Sequence, residues 1–408
     1  MSTAAIPSRA RLAFVLGALA MFGPFSIDTV FPAFGAMGAD LGAEPVAVQQ
    51  TISIYLLGYG LMSLFHGAIS DALGRRPVIL VGIALFVLAS IGCALSPDLD
   101  TLLLFRFLQG LSAGVGLIVG RAVIRDAVDG ADAQRLMSQV SMIFSIAPAL
   151  APIVGGWILG FADWHAIFWF LALFGAALGL LCAVALPETH PPERRLPLNA
   201  RVLVRNYAAM LRHRHFVWLV AVTTLNFAAL FLYISSAPVV VMQHLGLTEQ
   251  DFGWFFIPVI SGMLLGAFAT GRAAGRASAR QMVRIGFAVG LVGAAWNLGY
   301  AWVSPEYVWP WAILPLVLLA FGVALVFPQL ILQLLDLYPA QRGSASSMQA
   351  FLSLMFQAGV AGLLSPLLSA RPASLALAAA ALGGTAFALW AWGDARLARS
   401  PAAADAAA

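Results

Sequence analysis

Two residues of this chain stand where a charge is costly, and both are of types that do chemistry. Asp28, in FGPFSIDTVFPAF (residues 22–34), and Arg106, in RFLQG (106–110), each interrupt an otherwise apolar run. A carboxylate in such a place can carry a proton, whereas a guanidinium keeps its charge at any working pH. Asp28 lies six residues before the end of its run at Phe34, and Arg106 five residues after the start of its own at Thr101. At 1.5 Å per residue both sit roughly 8–9 Å below the same edge of the apolar zone, and an ion pair between them is expected.

Other chemical patterns carry less. GLSAG (110–114) has the G-x-S-x-G spacing of a hydrolase nucleophile, but it lies in an apolar helix with no strand before it and no His/Asp partners. Met62 and His66 are spaced i, i+4, a spacing open to a soft metal, yet a histidine near a helix end is the commoner reading and no metal is expected. Cys93 and Cys182 each lie in an apolar run, which suggests neither a disulfide framework nor a metal cluster. No G-x-x-x-x-G-K-[ST] loop is present, so ATP hydrolysis is unsupported, no cofactor is expected, and no catalytic constellation marks an enzyme.

The elements that must position Asp28 and Arg106 follow from composition. Of 408 residues 61% are hydrophobic and 10% charged, with mean hydropathy +0.91; a soluble domain carries about 25% charged residues. Runs long enough to cross a bilayer fall at 12–34, 46–69, 77–95, 101–123, 137–159 and 165–186, then at 216–241, 252–270, 282–303, 309–335, 345–368 and 373–392. The first is preceded by Arg9 and Arg11 and is too long for a cleaved signal, so it reads as a retained span. Between the two groups of six lies a proline- and arginine-rich stretch. The expected organisation is an all-α membrane protein with an N-terminal six-helix bundle (1–186), a cytoplasmic basic linker (187–215) that is partly amphipathic helix, and a C-terminal six-helix bundle with a short tail (216–408).

All basic residues are arginine, 22 in number, and all but two fall in loops or tails of one side; Arg371 lies opposite and Arg106 within a span. The positive-inside rule then puts both termini in the cytoplasm. The net charge of +4 is spread over short loops rather than gathered on a solvated face, so a nucleic-acid partner is not expected.

The loop GAISDALGRRP (67–77), with Gly67, Asp71, Gly74, Arg75 and Arg76, resembles the cytoplasmic signature of the major facilitator superfamily. RFLQG resembles the same superfamily's membrane-arginine motif. SQVSMIFSIAPALAPIVGGWI (138–158) resembles its antiporter motif, with Ala151, Pro152, Gly155 and Gly156 at the matching spacing. The first span, with SIDTVFPAF, is similar to that of the Bcr/CflA branch. This resemblance implies the major facilitator fold and proton-driven export of drugs or amphiphilic small molecules across a bacterial inner membrane. The expected partners are the drug, protons and membrane lipids, and the chain is expected to act as a monomer. Proton-coupled import of a small metabolite or metal is the alternative.

Within that frame Asp28 and Arg106 are the expected proton-coupling pair, Asp28 alternating between protonated and ionised states. The superfamily's arrangement of path-lining helices nominates Phe25, Tyr55, Tyr59, Gln109, Asn226, Tyr233, Phe327, Gln329, Gln349, Met355 and Gln357 for substrate contact. Their aromatic and amide side chains suit a bulky amphiphile better than a highly charged metabolite.

Overall fold

The structure is a computed structural model that describes residues 9–398 apart from 129, 196, 274, 305 and 340. Arg399, one of the arginines assigned above to the cytoplasmic side, lies outside the described residues. Twelve helices among them are long and apolar enough to cross a membrane. They are numbered here α1 (Arg9–Asp28), α2 (Pro45–Leu73), α3 (Arg75–Ala94), α4 (Leu99–Ala127), α5 (Gly130–Leu159) and α6 (His165–Ala185), followed by α7 (Arg214–Ser235), α8 (Gly253–Ala273), α9 (Ala279–Val303), α10 (Leu314–Asp336), α11 (Arg342–Gly359) and α12 (Pro372–Ala398).

Sequence signals explain where several helices begin and end. Asp98 caps α4 by accepting from the Thr101 backbone N–H at 2.8 Å, a bond that holds its carboxyl below the usual range. Ser278 and Gln281 form a reciprocal capping box at the start of α9. Gly74 closes the turn between α2 and α3 at φ +100°, a conformation that disfavours any side chain.

The first span differs from the continuous helix expected. α1 ends at Asp28, a tight turn at Phe31–Ala33 carries Pro32, and a short helix follows over Phe34–Asp40. Pro32 has no N–H to continue the ladder, and the Thr29 hydroxyl bonds back to the Phe25 carbonyl at 2.5 Å, closing the last turn. The expensive carboxylate therefore sits at a break in the helix, not in mid-run.

In the first bundle α1 packs on α5, α2 on α4, and α3 on α4 and α6; in the second α8 packs on α10, α9 on α10 and α12, and α7 on α12. Small residues permit the closest approaches. At Gly110 a Cβ would overlap the Tyr55 carbonyl, and at Gly58 it would lie 2.5 Å from the Phe107 carbonyl, so the backbones of α2 and α4 touch. The halves meet along two seams, α2 with α11 and α5 with α8.

The linker holds an amphipathic helix over Ala200–Arg212, with Tyr207 and Met210 buried. The Tyr207 hydroxyl donates to the Leu64 carbonyl of α2 at 2.8 Å, and burial pushes its phenol up to about 12, so it remains a donor at any physiological pH.

Candidate functional site

Arg106 is fully buried, and its surroundings follow from the close contact of α2 and α4. With the backbones touching at Gly110 and Gly58, the guanidinium reaches across: Nε donates to the Thr51 carbonyl at 3.3 Å and Nη1 to the Ser26 carbonyl at 3.2 Å. Nη1 also donates to Gln109 Oε1, and Gln109 Nε2 donates to Ser90 Oγ at 2.7 Å. The guanidinium carbon lies 4.5 Å from the centroid of the Tyr55 ring. The Tyr55 hydroxyl in turn bonds the Gly23 carbonyl at 3.0 Å and the Ser26 hydroxyl at 2.6 Å. Arg106 thus ties α1, α2 and α4 into one polar node, with Nη2 left without a partner.

The expected Asp28–Arg106 ion pair is not formed. The two do stand at one level along their helices, since Arg106 bonds the backbone of Ser26, two residues from Asp28. Azimuth decides against pairing: two residues turn a helix by about 200°, so the face that offers Ser26 to Arg106 turns Asp28 away. Asp28 is 6% exposed and has neither a hydrogen bond nor an ion pair among the described residues. The arginine's charge is met by amide and carbonyl oxygens, and the carboxylate is left uncompensated.

The double glycine of α5 comes to this point. A Cβ on Gly155 would overlap the carbonyl of Thr29, the residue after Asp28, so α5 is held against the broken end of α1. A Cβ on Gly156 would overlap the carbonyl of Glu249 in the second half. Pro148 and Pro152 lie within α5, and Ala147 and Ala151 are fully buried. The motif therefore joins the carboxylate's backbone to the seam between halves. A cleft of about 410 Å³ opens beside that contact, bordered by Asp40, Trp164, Glu249 and Gln250, at the end of the molecule opposite Gly74.

The nominated path residues divide. Tyr55 and Tyr59 face α1 and α4 within the first bundle, Tyr55 against Arg106 and Tyr59 against Gly23 and Gly114, whereas Met355 stands at the α2–α11 seam, where its methyl closes over Gly60. Gln349 donates to Ser353 Oγ at 2.9 Å, and Ser353 bonds Thr224 of α7. Phe327 packs on Phe227, Gln329 is half-buried on α10, and Gln357 is buried with neither end of its amide bonded. Three others face into their own bundles. Phe25 packs on Phe174 and Phe170 of α6, and Tyr233 accepts from Asn297 of α9 at 2.6 Å. Asn226, two turns before Tyr233 on the same face of α7, borders a void of about 10 Å³ with Phe287 and Gly290, room for roughly one water.

Sequence reasoning passed over Gln49, Gln50 and Ser53. Their amides and hydroxyl cross the seam to the Ser235 carbonyl (2.8 Å), Ser365 Oγ (2.5 Å), the Gly362 carbonyl (2.8 Å) and the Ala358 carbonyl (2.8 Å). The carbonyls are available because α11 passes into a π-helical turn over Val360–Leu364, which displaces its own hydrogen-bond ladder. Three polar residues within five positions of an apolar span were the signal.

At the other end, Arg75 organises the glycine–aspartate loop. It donates to Asp71 at 2.5 Å, Ser70 Oγ at 2.7 Å and Asp126 of α4 at 2.9 Å. Glu188 accepts the backbone N–H groups of Arg75 and Arg76 at 3.0 and 3.2 Å, a carboxylate at a helix N-terminus. Arg76 donates to the Ala183 carbonyl at 2.6 Å. Asp71 accepts from arginine as its spacing suggested, while Asp126 and Glu188 are partners that local spacing does not reveal. Gly67 faces open space and makes no close approach. Arg75→Ala is expected to destabilise the first bundle by about 2 kcal/mol, below the range for a fully buried pair because Asp71 remains 43% and Asp126 20% exposed. Thermal unfolding in detergent measures it, with Asp126→Asn giving a smaller loss.

Twelve helices long and apolar enough to cross a membrane, packed in two bundles with a buried arginine node in the first, define a multi-pass membrane protein. The chain belongs to the major facilitator superfamily, whose model matches residues 14–361. It is 37% identical over 291 residues to an uncharacterised transporter of that type, YdgK of Bacillus subtilis, covering 70% of this chain and 72% of the other. It is 30% identical over 298 residues to a bicyclomycin resistance protein homologue of Haemophilus influenzae, with 73% and 75% covered, which supports the Bcr/CflA-type branch. The nucleoside transporter NupG shares the fold at TM-score 0.73 and 15% identity, over 94% of this chain and 99% of that one.

Proposed function

We propose that this protein exports amphiphilic drugs in exchange for protons, by alternating access between its two six-helix halves. Both termini lie on the cytoplasmic side of a bacterial inner membrane, and a monomer, divided at residues 187–215, is the working unit. The observation that carries this reading is Asp28: a buried, uncompensated carboxylate at a break in α1, clamped through Thr29 to the double glycine of α5. An ionised carboxylate away from water costs several kcal/mol, so its proton occupancy depends on whether water reaches it. A carboxylate placed where the halves change contact is suited to binding a proton on one side and releasing it on the other. Arg106 serves as the fixed charge that holds α1, α2 and α4 together around it.

The bicyclomycin resistance relative supports a drug as cargo. The buried Tyr55, Tyr59 and Gln349 and the half-buried Met355 supply the aromatic, amide and thioether groups for it. Expression in an efflux-deficient bacterial host tests the reading. Accumulation of a neutral amphiphilic antibiotic, chloramphenicol, is expected to fall severalfold, and a protonophore is expected to restore it. Unchanged accumulation and unchanged susceptibility across a panel of antibiotics overturn it.

A further inference from the structure

The sequence pattern places Arg121 among the loop arginines, but α4 runs on to Ala127 and carries Arg121 six residues inside its end. Seven residues separate it from Gly114, two turns of helix, so the two share a face. That face looks at α2. A Cβ on Gly114 would lie 2.8 Å from the Tyr59 ring and 3.0 Å from His66 Nδ1, and the Tyr59 phenol and Arg121 lie within electrostatic reach of each other. Protein surrounds much of the guanidinium, yet solvent reaches it.

Two polar groups there have nothing to bond among the described residues: Arg121 has no hydrogen bond or ion pair, and the hydroxyl of the nine-tenths-buried Tyr59 has none. His66, beside the Tyr59 ring over Gly114, bonds the Leu111 backbone. The nearby carboxylates are spoken for: Asp71 and Asp126 hold Arg75, and Glu188 holds the start of α3. Arg125, one turn further along α4, adds a charge of like sign. Across the seam, Met355 and Leu354 close over Gly60, next to Tyr59, and give the site an apolar wall.

We infer that Arg121, with the Tyr59 hydroxyl, forms an anion-accepting subsite of the transport path, and that the cargo it takes is an amphiphile carrying one carboxylate. A guanidinium offers two parallel N–H donors to a carboxylate, the phenol adds an O–H, and the apolar wall receives the aromatic body. A cationic amphiphile meets like charge at the same place. The inference rests on the export reading above and names its substrate class.

The test uses nalidixic acid, its ethyl ester and ethidium as anionic, neutral and cationic probes, with the full chain in phosphatidylethanolamine proteoliposomes under a pH gradient. Arg121→Gln is expected to lower nalidixate transport about tenfold relative to the ester, Arg121→Lys to keep most of it, and Tyr59→Phe to lower it about threefold, the scale of losing charge-assisted hydrogen bonds. Size-exclusion profiles identify variants that fail to fold, and the Lys and Phe variants then carry the comparison. Equal loss of nalidixate and ester in Arg121→Gln overturns the subsite, as does a wild type that carries the ester but not nalidixate. A lipid phosphate as the occupant shows as Arg121 dependence that disappears when phosphatidylglycerol is added, and that also overturns it. A wild type that moves none of the three probes removes the export reading itself.

Discussion

Asp28→Asn, reconstituted with an imposed pH gradient, is expected to move substrate down its own gradient and no longer against it. The amide keeps the shape of the carboxyl group and cannot cycle a proton. For one proton exchanged per substrate, each unit of pH gradient supports a tenfold accumulation ratio, about 1.4 kcal/mol. In the variant that ratio falls to one, while downhill counterflow continues. The location of Asp28 makes the loss large: it is buried, it lacks a counter-charge among the described residues, and it stands where α1 breaks against α5. Accumulation that still follows the pH gradient in Asp28→Asn would assign the proton to another group. An intact Arg106 node, seen as unchanged thermal stability, separates loss of coupling from loss of fold, because Arg106 is bonded to Ser26, Thr51 and Gln109 and not to Asp28.

The second large effect comes from two adjacent glycines that touch different halves of the molecule. Gly155→Ala pushes on the Thr29 carbonyl within the first bundle, and a loss of stability of about 1–3 kcal/mol is expected, as for overpacking elsewhere. Gly156→Ala pushes on the Glu249 carbonyl of the second half. The same strain then acts on the equilibrium between conformations, because separating α5 from α8 relieves it. A penalty of about 1–3 kcal/mol on the closed arrangement shifts the ratio of open to closed by about 5–150-fold. Spin labels introduced through Ala36→Cys and Gln250→Cys, which border the cleft at that end, report the change as a population at longer separations. Gly156→Ala is expected to gain that population with little change in unfolding temperature, and Gly155→Ala the reverse. Identical behaviour of the two variants would show that α5 and α8 do not form a gate. The Gln49, Gln50 and Ser53 bonds to α11 and α7 close the same end, so removing them is expected to add to the shift.

Much of the architecture was legible in the order of residues. Hydropathy reads out twelve spans because a bilayer demands about 20 apolar residues per crossing and tolerates no unpaired backbone. The arginine-rich stretch with Tyr207 and Met210 on one face announces its own amphipathic helix. Helix ends were less secure: α4 extends past its apolar run to Ala127, and α1 stops at Asp28, because capping and proline geometry override hydropathy locally.

By itself the sequence determined the apolar medium, the number of spans, the common level of Asp28 and Arg106 along their helices and the family motifs, since these depend on composition and on distance along a helix. Only the tertiary structure decided which groups meet. Rotation about a helix axis, the lateral arrangement of helices and the π-helical turn of α11 are set by packing over the whole bundle. They send Arg106 to the carbonyls of Ser26 and Thr51, turn Tyr233 toward Asn297, and give Arg75 its partner Asp126 from another helix. They also place Gly155 against Thr29 and Gly156 against Glu249. Depth is a one-dimensional quantity that counting recovers, whereas azimuth is fixed by neighbours that lie far away in the chain.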